Sequence, residues 1–410
     1  MHLVDAIGIA INKRTMPRKA AFFFGSGISL ASYPPGAASV GGITDSVFNA
    51  EWHFTTAKTF AFGKNPNPLI PDGVTPAVKE FLLCVKNCAD EYIKALAKGR
   101  APRLAHYEDL FSLSEQASRP ELDHVPNLAV IEFLQRLRRD TSRIHAAFSN
   151  PTDGSDSFVS LAQTSCDFLH WVVDHTLRSK VRSRSGLELV SHVAGSVDQL
   201  DIFTLNHDTL IEEELSAHGV GYESGFGDRT HGAFSVYQPG WSKASRKVPT
   251  RILKLHGSLN WYLYEFPGWA RQYAIPDGDP FRGRDQDGNL VNPAEWKAAF
   301  LSGTIVKEQR YGLGFWSELL AAFHEHLSQH RFLIFCGYGF GDPGVNMRIY
   351  QWACNLPGDN KLIVLTADDE AKFFSDKPPW MHQLRARGQI QLVDKYLQSC
   401  TMSDIEHFFS

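Results

Sequence analysis

Apolar positions recur along this chain with two different spacings. Short apolar runs ending in a glycine or polar turn predict buried strands at 20–24, 201–205, 251–255, 331–336, 361–366 and 389–393. Residues 20–24 read Ala-Ala-Phe-Phe-Phe and stop at Gly25-Ser26-Gly27. Between the later strands, apolar residues at helical spacing predict helices near 208–218, 315–329 and 343–354. Strands alternating with helices predict an α/β fold with a Rossmann-like, doubly wound parallel sheet.

The alternation breaks after the first strand. From Thr75, a candidate cap, and Pro76, suited to a first helical position, Val78, Phe81, Leu82, Val85, Ala89, Tyr92, Ile93 and Leu96 follow helical spacing. Further helical patterns lie near 106–117, 127–149, 157–180 and 186–198. The pattern divides the chain into a nucleotide-fold domain of 1–74 and 199–410 and a large helical insertion, 75–198. Residues 33–73, rich in Gly, Pro, Asn and Ser, read mostly as loop. The stretch 265–312 reads as a long loop excursion, a candidate lid or contact surface.

Composition narrows the class. The chain has 410 residues, 43% hydrophobic and 21% charged, with a formal net charge of −4. That balance gives no general attraction to nucleic acid or an anionic membrane, although Lys13, Arg14, Arg18 and Lys19 form a local basic cluster. The six cysteines include no CxxC pair, which predicts reduced thiols and no structural zinc. Cys84 and Cys88 stand one helical turn apart and read as packing, with metal binding as the alternative. No apolar run reaches the ~18 residues of a membrane span, and apolar residues 7–11 precede the basic cluster, the reverse of a secretory signal. The expected location is the cytoplasm.

Candidate chemistry gathers at the carboxyl ends of the predicted strands, where open α/β sheets bind ligands. The turn Gly25-Ser26-Gly27-Ile28-Ser29 suits either a phosphate cradle or a tight strand–helix turn. In Thr204-Leu205-Asn206-His207-Asp208, Asn206 offers a donor and an acceptor for ribose hydroxyls or a water. Asp208 reads equally as a helix cap, and Thr209 with Glu212 as a capping box. In Leu255-His256-Gly257-Ser258, the imidazole suits a general base near neutral pH, and Gly257 admits a close neighbour. A glycine-rich turn, Gly337-Tyr338-Gly339-Phe340-Gly341-Asp342-Pro343, follows the fourth strand, and Asp368 follows the fifth, where it suits contact with a ribose or base or, as the favoured reading, a helix cap.

GSGIS, TLNHD, LHGS and GYGFGDP, in this order after strands, resemble the sirtuin family. The resemblance is to the sirtuin-like proteins of bacterial anti-phage defence, and it spans 20–60 and 200–395. It implies NAD as substrate, with Gly25, Ser26, Gly27 and Ser29 at its phosphates. It implies Asn206 and Asp208 at the nicotinamide ribose, His256 as base, and Gly337, Tyr338 and Gly339 at the ribose–phosphate border. Asp45, in Gly42-Ile43-Thr44-Asp45, is what remains of the stretch that covers nicotinamide in sirtuin deacylases. The rest of that stretch and the four-cysteine zinc module are missing, and Gly339 replaces a common serine.

The reading that follows is NAD glycohydrolase, releasing nicotinamide and ADP-ribose and depleting NAD in abortive infection. The alternatives are an NAD-dependent deacylase or ADP-ribosyltransferase, and a non-catalytic nucleotide sensor or scaffold. The resemblance further implies homo-oligomers and a HerA-type ATPase ring as partner. The chain has no GxxxxGK[ST] of its own, so an ATP-driven step would belong to another subunit.

Overall fold

The computed structural model describes residues 17–409, apart from 37, 68–71, 97–102, 119–127, 147, 149–155, 179–182, 185, 228–231, 267, 269, 304 and 356–358. Apolar residues 7–11, Lys13 and Arg14 lie outside the described residues. Strand β1 (Lys19–Phe24) runs into α1 (Ser26–Ser32), α2 (Val40–Asn49) and the hairpin of β2 (Trp52–Phe54) and β3 (Phe60–Phe62). Six helices follow: α3 (Val74–Leu96), α4 (Tyr107–Ser118), α5 (Leu128–Asp140), α6 (Ser142–Ala146), α7 (Ser157–Leu177) and α8 (Glu188–Ala194). Next come β4 (Gln199–Thr204), α9 (Leu210–Ala217), β5 (Tyr222–Glu223), β6 (Phe234–Val236), β7 (Thr250–Lys254), β8 (Tyr262–Tyr264) and β9 (Gln272–Pro276). The remainder comprises α10 (Ile305–Arg310), α11 (Gly314–Leu327), β10 (Phe332–Cys336), α12 (Pro343–Cys354), β11 (Lys361–Thr366), α13 (Glu370–Phe374), α14 (Pro379–Ala386), β12 (Ile390–Asp394), α15 (Met402–Ile405) and short 3₁₀ turns.

The expected doubly wound sheet is present. Its seven strands run β12-β11-β10-β1-β4-β7-β5, and every pair is parallel. Alternation along β1 explains why helices cover both faces. Ala20, Phe22 and Phe24 enter one core, shared with Phe81 of α3, Leu110 of α4, Phe168 of α7 and Leu210 of α9. Ala21 and Phe23 enter the other, shared with Phe323 of α11, Trp352 of α12 and Met381 of α14. The chain leaves central β1 toward β4 and β7, then returns to β10 on the other flank of β1. That reversal opens a crevice at the carboxyl ends of β1 and β10. Among the described residues no helix is long and apolar enough to cross a membrane.

Two stretches read as loop are structured. Within 33–73, α2 forms because Ser39 caps it, its hydroxyl accepting from Gly42 N at 2.8 Å, and because Ile43 and Val47 share one buried face. Gly41 and Gly42 hide the helix from a propensity reading. Within 265–312, β9 pairs antiparallel with β6 and β8 in a second, three-stranded sheet. Helix α3 is capped by Asp72 rather than Thr75: its Oδ1 accepts from Val74 N at 3.0 Å and Thr75 N at 2.9 Å. Asp369, not Asp368, caps α13.

Candidate functional site

The crevice floor is made of two glycine turns in direct backbone contact. Gly25 N donates to Cys336 O at 3.0 Å, and Gly27 N donates to Gly337 O at 2.8 Å. A Cβ on Gly27 would lie 2.6 Å from Gly337 Cα, and one on Gly25 would lie 2.6 Å from Gly337 O. The sequence left a phosphate cradle and a tight strand–helix turn both open, and in the fold the glycines of the two turns are required by each other. Gly27 and Gly337 lie in the floor, whereas Gly25, Ser26, Ser29, Tyr338 and Gly339 line the cleft above it, a volume of about 480 Å³. Asp45 is not brought there. It lies on α2 with its carboxylate on Asn49 and lines a neighbouring hollow.

The loop after β4 supplies Asn206, His207 and Asp208 to the cleft. Asn206 N donates to Thr204 Oγ1 at 3.0 Å, and its buried side-chain Nδ2 has no partner among the described residues. A buried amide donor left unpaired costs free energy, so this atom points to a ligand oxygen or a water. Asp208 ties three elements together. Its carboxylate accepts from Ser29 Oγ of α1 and from Leu210 N at 3.2 Å, and its carbonyl accepts from Lys254 Nζ of β7. Lys254 also pairs with Glu212 at 2.9 Å, while Thr209 bonds Glu213. The expected Thr209–Glu212 capping box does not form because the buried Lys254 ammonium takes Glu212.

His256 follows β7 and is 3% exposed. Its Nε2 is 2.5 Å from Tyr311 Oη and 2.9 Å from Asp342 Oδ2, and Tyr311 Oη donates to the same Oδ2 at 2.8 Å. Burial lowers the His256 pKa below its ordinary value, aided by the Lys307 ammonium and opposed by Asp342. The Asp342 carboxyl is held well below the carboxylate range: burial alone would raise it, but the hydrogen bond and charge of His256, Val345 N and Tyr311 outweigh that. Burial beside Asp342 pushes the Tyr311 phenol up, so it stays protonated. A neutral imidazole at neutral pH is the form that can take up a proton.

Gly257, at φ +81°, admits its close neighbour, and that neighbour is backbone: a Cβ there would lie 2.3 Å from Ala299 O. Leu301 N donates to His256 O at 2.7 Å and Ser258 N to Ala299 O at 3.1 Å. The end of the 265–312 stretch is thus packed onto the histidine loop. It leads into α10, where Lys307 pairs with Glu108 of α4 at 2.7 Å and Arg310 with Glu115 of α4 at 2.8 Å. Tyr107, Glu108 and Lys307 line the cleft, so α4 and α10 supply part of its wall.

Sequence reasoning reached Asn206 and His256 but missed Tyr311, Lys307 and Glu108. None sits in a motif, and each lies far from the strand ends in sequence. Asp342 had one legible signal, its place in the turn after β10. Its Oδ1 also accepts from Val345 N at 2.9 Å and caps α12, the ordinary reading of Asp before Pro. Among the described residues no group of three or more His, Cys, Asp or Glu is placed to hold a metal ion. Burial raises the Cys84 and Cys88 thiols on α3.

A doubly wound parallel sheet with polar residues at its switch point defines the open α/β class of protein, whose ligands bind at the carboxyl ends of the strands. Residues 201–387 match the family model described as SIR2-like domain. No curated protein matches the chain. Among solved structures, one similar chain is a mutant Sir2 homologue in complex with ADP-ribose. It shares 12% identity over 72% of this chain and 88% of that one, with a TM-score of 0.32. Another is a multiply substituted Sir2 homologue in complex with 2'-O-acetyl ADP-ribose, with 13% identity over 67% and 76% and a TM-score of 0.26.

Proposed function

We propose that this chain is an NAD glycohydrolase that cleaves the nicotinamide–ribose bond. The observation that carries the reading is the unpaired, buried Asn206 Nδ2 in the same cleft as a desolvated His256 and the Gly25–Ser26 turn. Asn206 holds a ribose hydroxyl or the attacking water. The C–N bond breaks with its electron pair leaving on neutral nicotinamide. Water oxygen bonds to the anomeric carbon, and its proton passes to His256, giving ADP-ribose. Gly25, Ser26 and Gly339 face the phosphates, with Lys307 as the cleft's cation among the described lining residues. Asp208 acts structurally, holding the β4 loop through Ser29 and Lys254. NAD is consumed as substrate, and no zinc takes part.

The test is a time course of NAD loss with the purified chain and with Asn206→Ala and His256→Ala. Each substitution is expected to lower the rate by about 10²–10⁴-fold, and the two losses should not add fully. Wild-type rate in either variant refutes that residue's role. Nicotinamide release that depends on an acylated peptide would replace hydrolysis with deacylation, and binding without consumption would leave a sensor.

The same reading makes the helical insertion of 75–198 and the 265–312 stretch the candidates for a gate, since uncontrolled NAD loss would harm its host. The insertion also carries a surface for homo-oligomers and for a HerA-type ATPase ring in cytoplasmic anti-phage defence. Leu83 and Tyr92 on α3 and Leu104 are large apolar residues exposed on it. Sedimentation giving only monomer, alone and with such an ATPase, counts against this assembly.

A further inference from the structure

We propose that Asp342, with Tyr311 beside it, is a positioning residue that fixes the tautomer of His256, keeping hydrogen on Nε2 and leaving Nδ1 as the nitrogen that accepts a proton. The inference rests on His256 acting as the base, and it adds which nitrogen acts and what holds it there. Nε2, Tyr311 Oη and Asp342 Oδ2 form a closed triangle with sides of 2.5, 2.9 and 2.8 Å. All three groups are buried. An ionised carboxylate only accepts, so Asp342 requires a hydrogen on whatever faces it. Tyr311 spends its single hydrogen on Asp342, which turns an oxygen lone pair toward Nε2. Asp342 therefore demands Nε2–H, and Tyr311 accepts from it as long as its own hydrogen stays on Asp342. The alternative tautomer would draw the Tyr311 hydrogen away from Asp342 and set the Nε2 lone pair against the carboxylate at 2.9 Å.

Asp342 is held independently of the histidine. Its Oδ1 caps α12 through Val345 N at 2.9 Å, and a twelve-residue helix presents its positive end to the carboxylate. Tyr311 is held by α10, which two ion pairs fasten to α4 of the helical insertion. Lys307 of α10, Glu108 of α4 and His207 after β4 are the other titratable groups around the ring. Helix α4 thus reaches His256 through α10 and Tyr311 as well as through its own place in the cleft wall.

The test reads the histidine itself as well as turnover. In the full chain labelled with ¹⁵N-histidine, with the signal assigned by loss in His256→Gln, the neutral ring is expected as Nε2–H. Asp342→Asn keeps the helix cap, since Asn caps as well as Asp, but presents an amide. Its expected effects are a shift of His256 toward Nδ1–H and an ionisation about one pH unit or more lower, as a lost neighbouring anion requires. The acid limb of NAD hydrolysis should move down with it, and kcat should fall by about 10²–10⁴-fold with KM little changed. Tyr311→Phe leaves Asp342 Oδ2 facing Nε2 and is expected to keep the ring as Nε2–H, so the tautomer shift belongs to Asp342→Asn. An Nδ1–H ring in the wild type, or a tautomer and ionisation indifferent to Asp342→Asn, overturns the proposal. The expected spectra in a chain that does not hydrolyse NAD would refute the proposed activity and leave the clamp standing. Hydrolysis with the opposite spectra would refute the clamp alone.

Discussion

Replacing Gly27 with alanine isolates the contact on which the cleft floor is built. The new Cβ would lie 2.6 Å from Gly337 Cα and 3.0 Å from Gly337 O, against the ~3.5–4.0 Å of a relaxed carbon contact. Both obstacles are backbone, so no side chain can swing away. The two turns must part by roughly 1 Å, which strains or breaks the 2.8 Å bond from Gly27 N to Gly337 O. Overpacking costs about 1–3 kcal/mol and the hydrogen bond about 1 kcal/mol. Alanine's better helix propensity within α1 returns about 1 kcal/mol. The expected net loss is about 1–3 kcal/mol. Gly337→Ala should cost more, since its φ of +65° adds about 1–2 kcal/mol for an L side chain. Gly339 has open space where its Cβ would go, so Gly339→Ser should stay within about 0.5 kcal/mol. Urea unfolding followed by tryptophan fluorescence measures all three. Equal stability of Gly27→Ala and wild type, or a Gly339→Ser as damaged as Gly337→Ala, would refute the reasoning.

Other expectations follow from charges. Lys307→Met should raise the ionisation of His256, because the ammonium disfavours a second positive charge and its loss also leaves Glu108 unpaired. The acid limb of turnover should then move to higher pH, and a limb moving down contradicts the assignment. Asp201, fully buried on β4, accepts from both Arg246 Nη2 contacts at 2.6 and 2.7 Å and from His330 at 2.7 Å. Asp201→Asn should destabilise the fold by about 3 kcal/mol at neutral pH, by leaving the half-buried Arg246 guanidinium without its anion and His330 without its carboxylate acceptor. The folded carboxyl is held far below its ordinary 3.8, against burial, by His326, His330 and Arg246. Its contribution is therefore complete above about pH 4 and is lost as pH falls through that value and below. Stability measured from pH 7 down to 2 should fall less steeply in the variant, and parallel curves would remove Asp201 from the account.

How much of this was legible beforehand depends on the range of the forces involved. The strands of the main sheet showed themselves because a strand buried on both faces must be apolar at consecutive positions, as in Ala20–Ala21–Phe22–Phe23–Phe24. Helix α2 did not, because a cap, two glycines and two buried residues make a weak local signal that packing against α4 and α7 completes. Asn206 and His256 were legible because strand ends in a doubly wound sheet converge wherever the loops are.

What the chain order alone determined is the frame: alternating strands and helices, a run of helices between the first and second strands of the main sheet, and polar residues delivered to one edge of that sheet. Only the tertiary structure decided what each of those residues does. Gly27 meets Gly337 across 310 positions of sequence, and that distance conceals that the two glycines serve each other. Asp342 caps its own helix with one oxygen and holds His256 with the other, and only the first role is local. Tyr311 carries no pattern at all, since a single hydroxyl gains its meaning from two partners brought to it by separate strands and loops. Periodicity records which face of an element is buried. Hydrogen-bond geometry within 3 Å is set by how the elements pack, and no spacing along the chain encodes it.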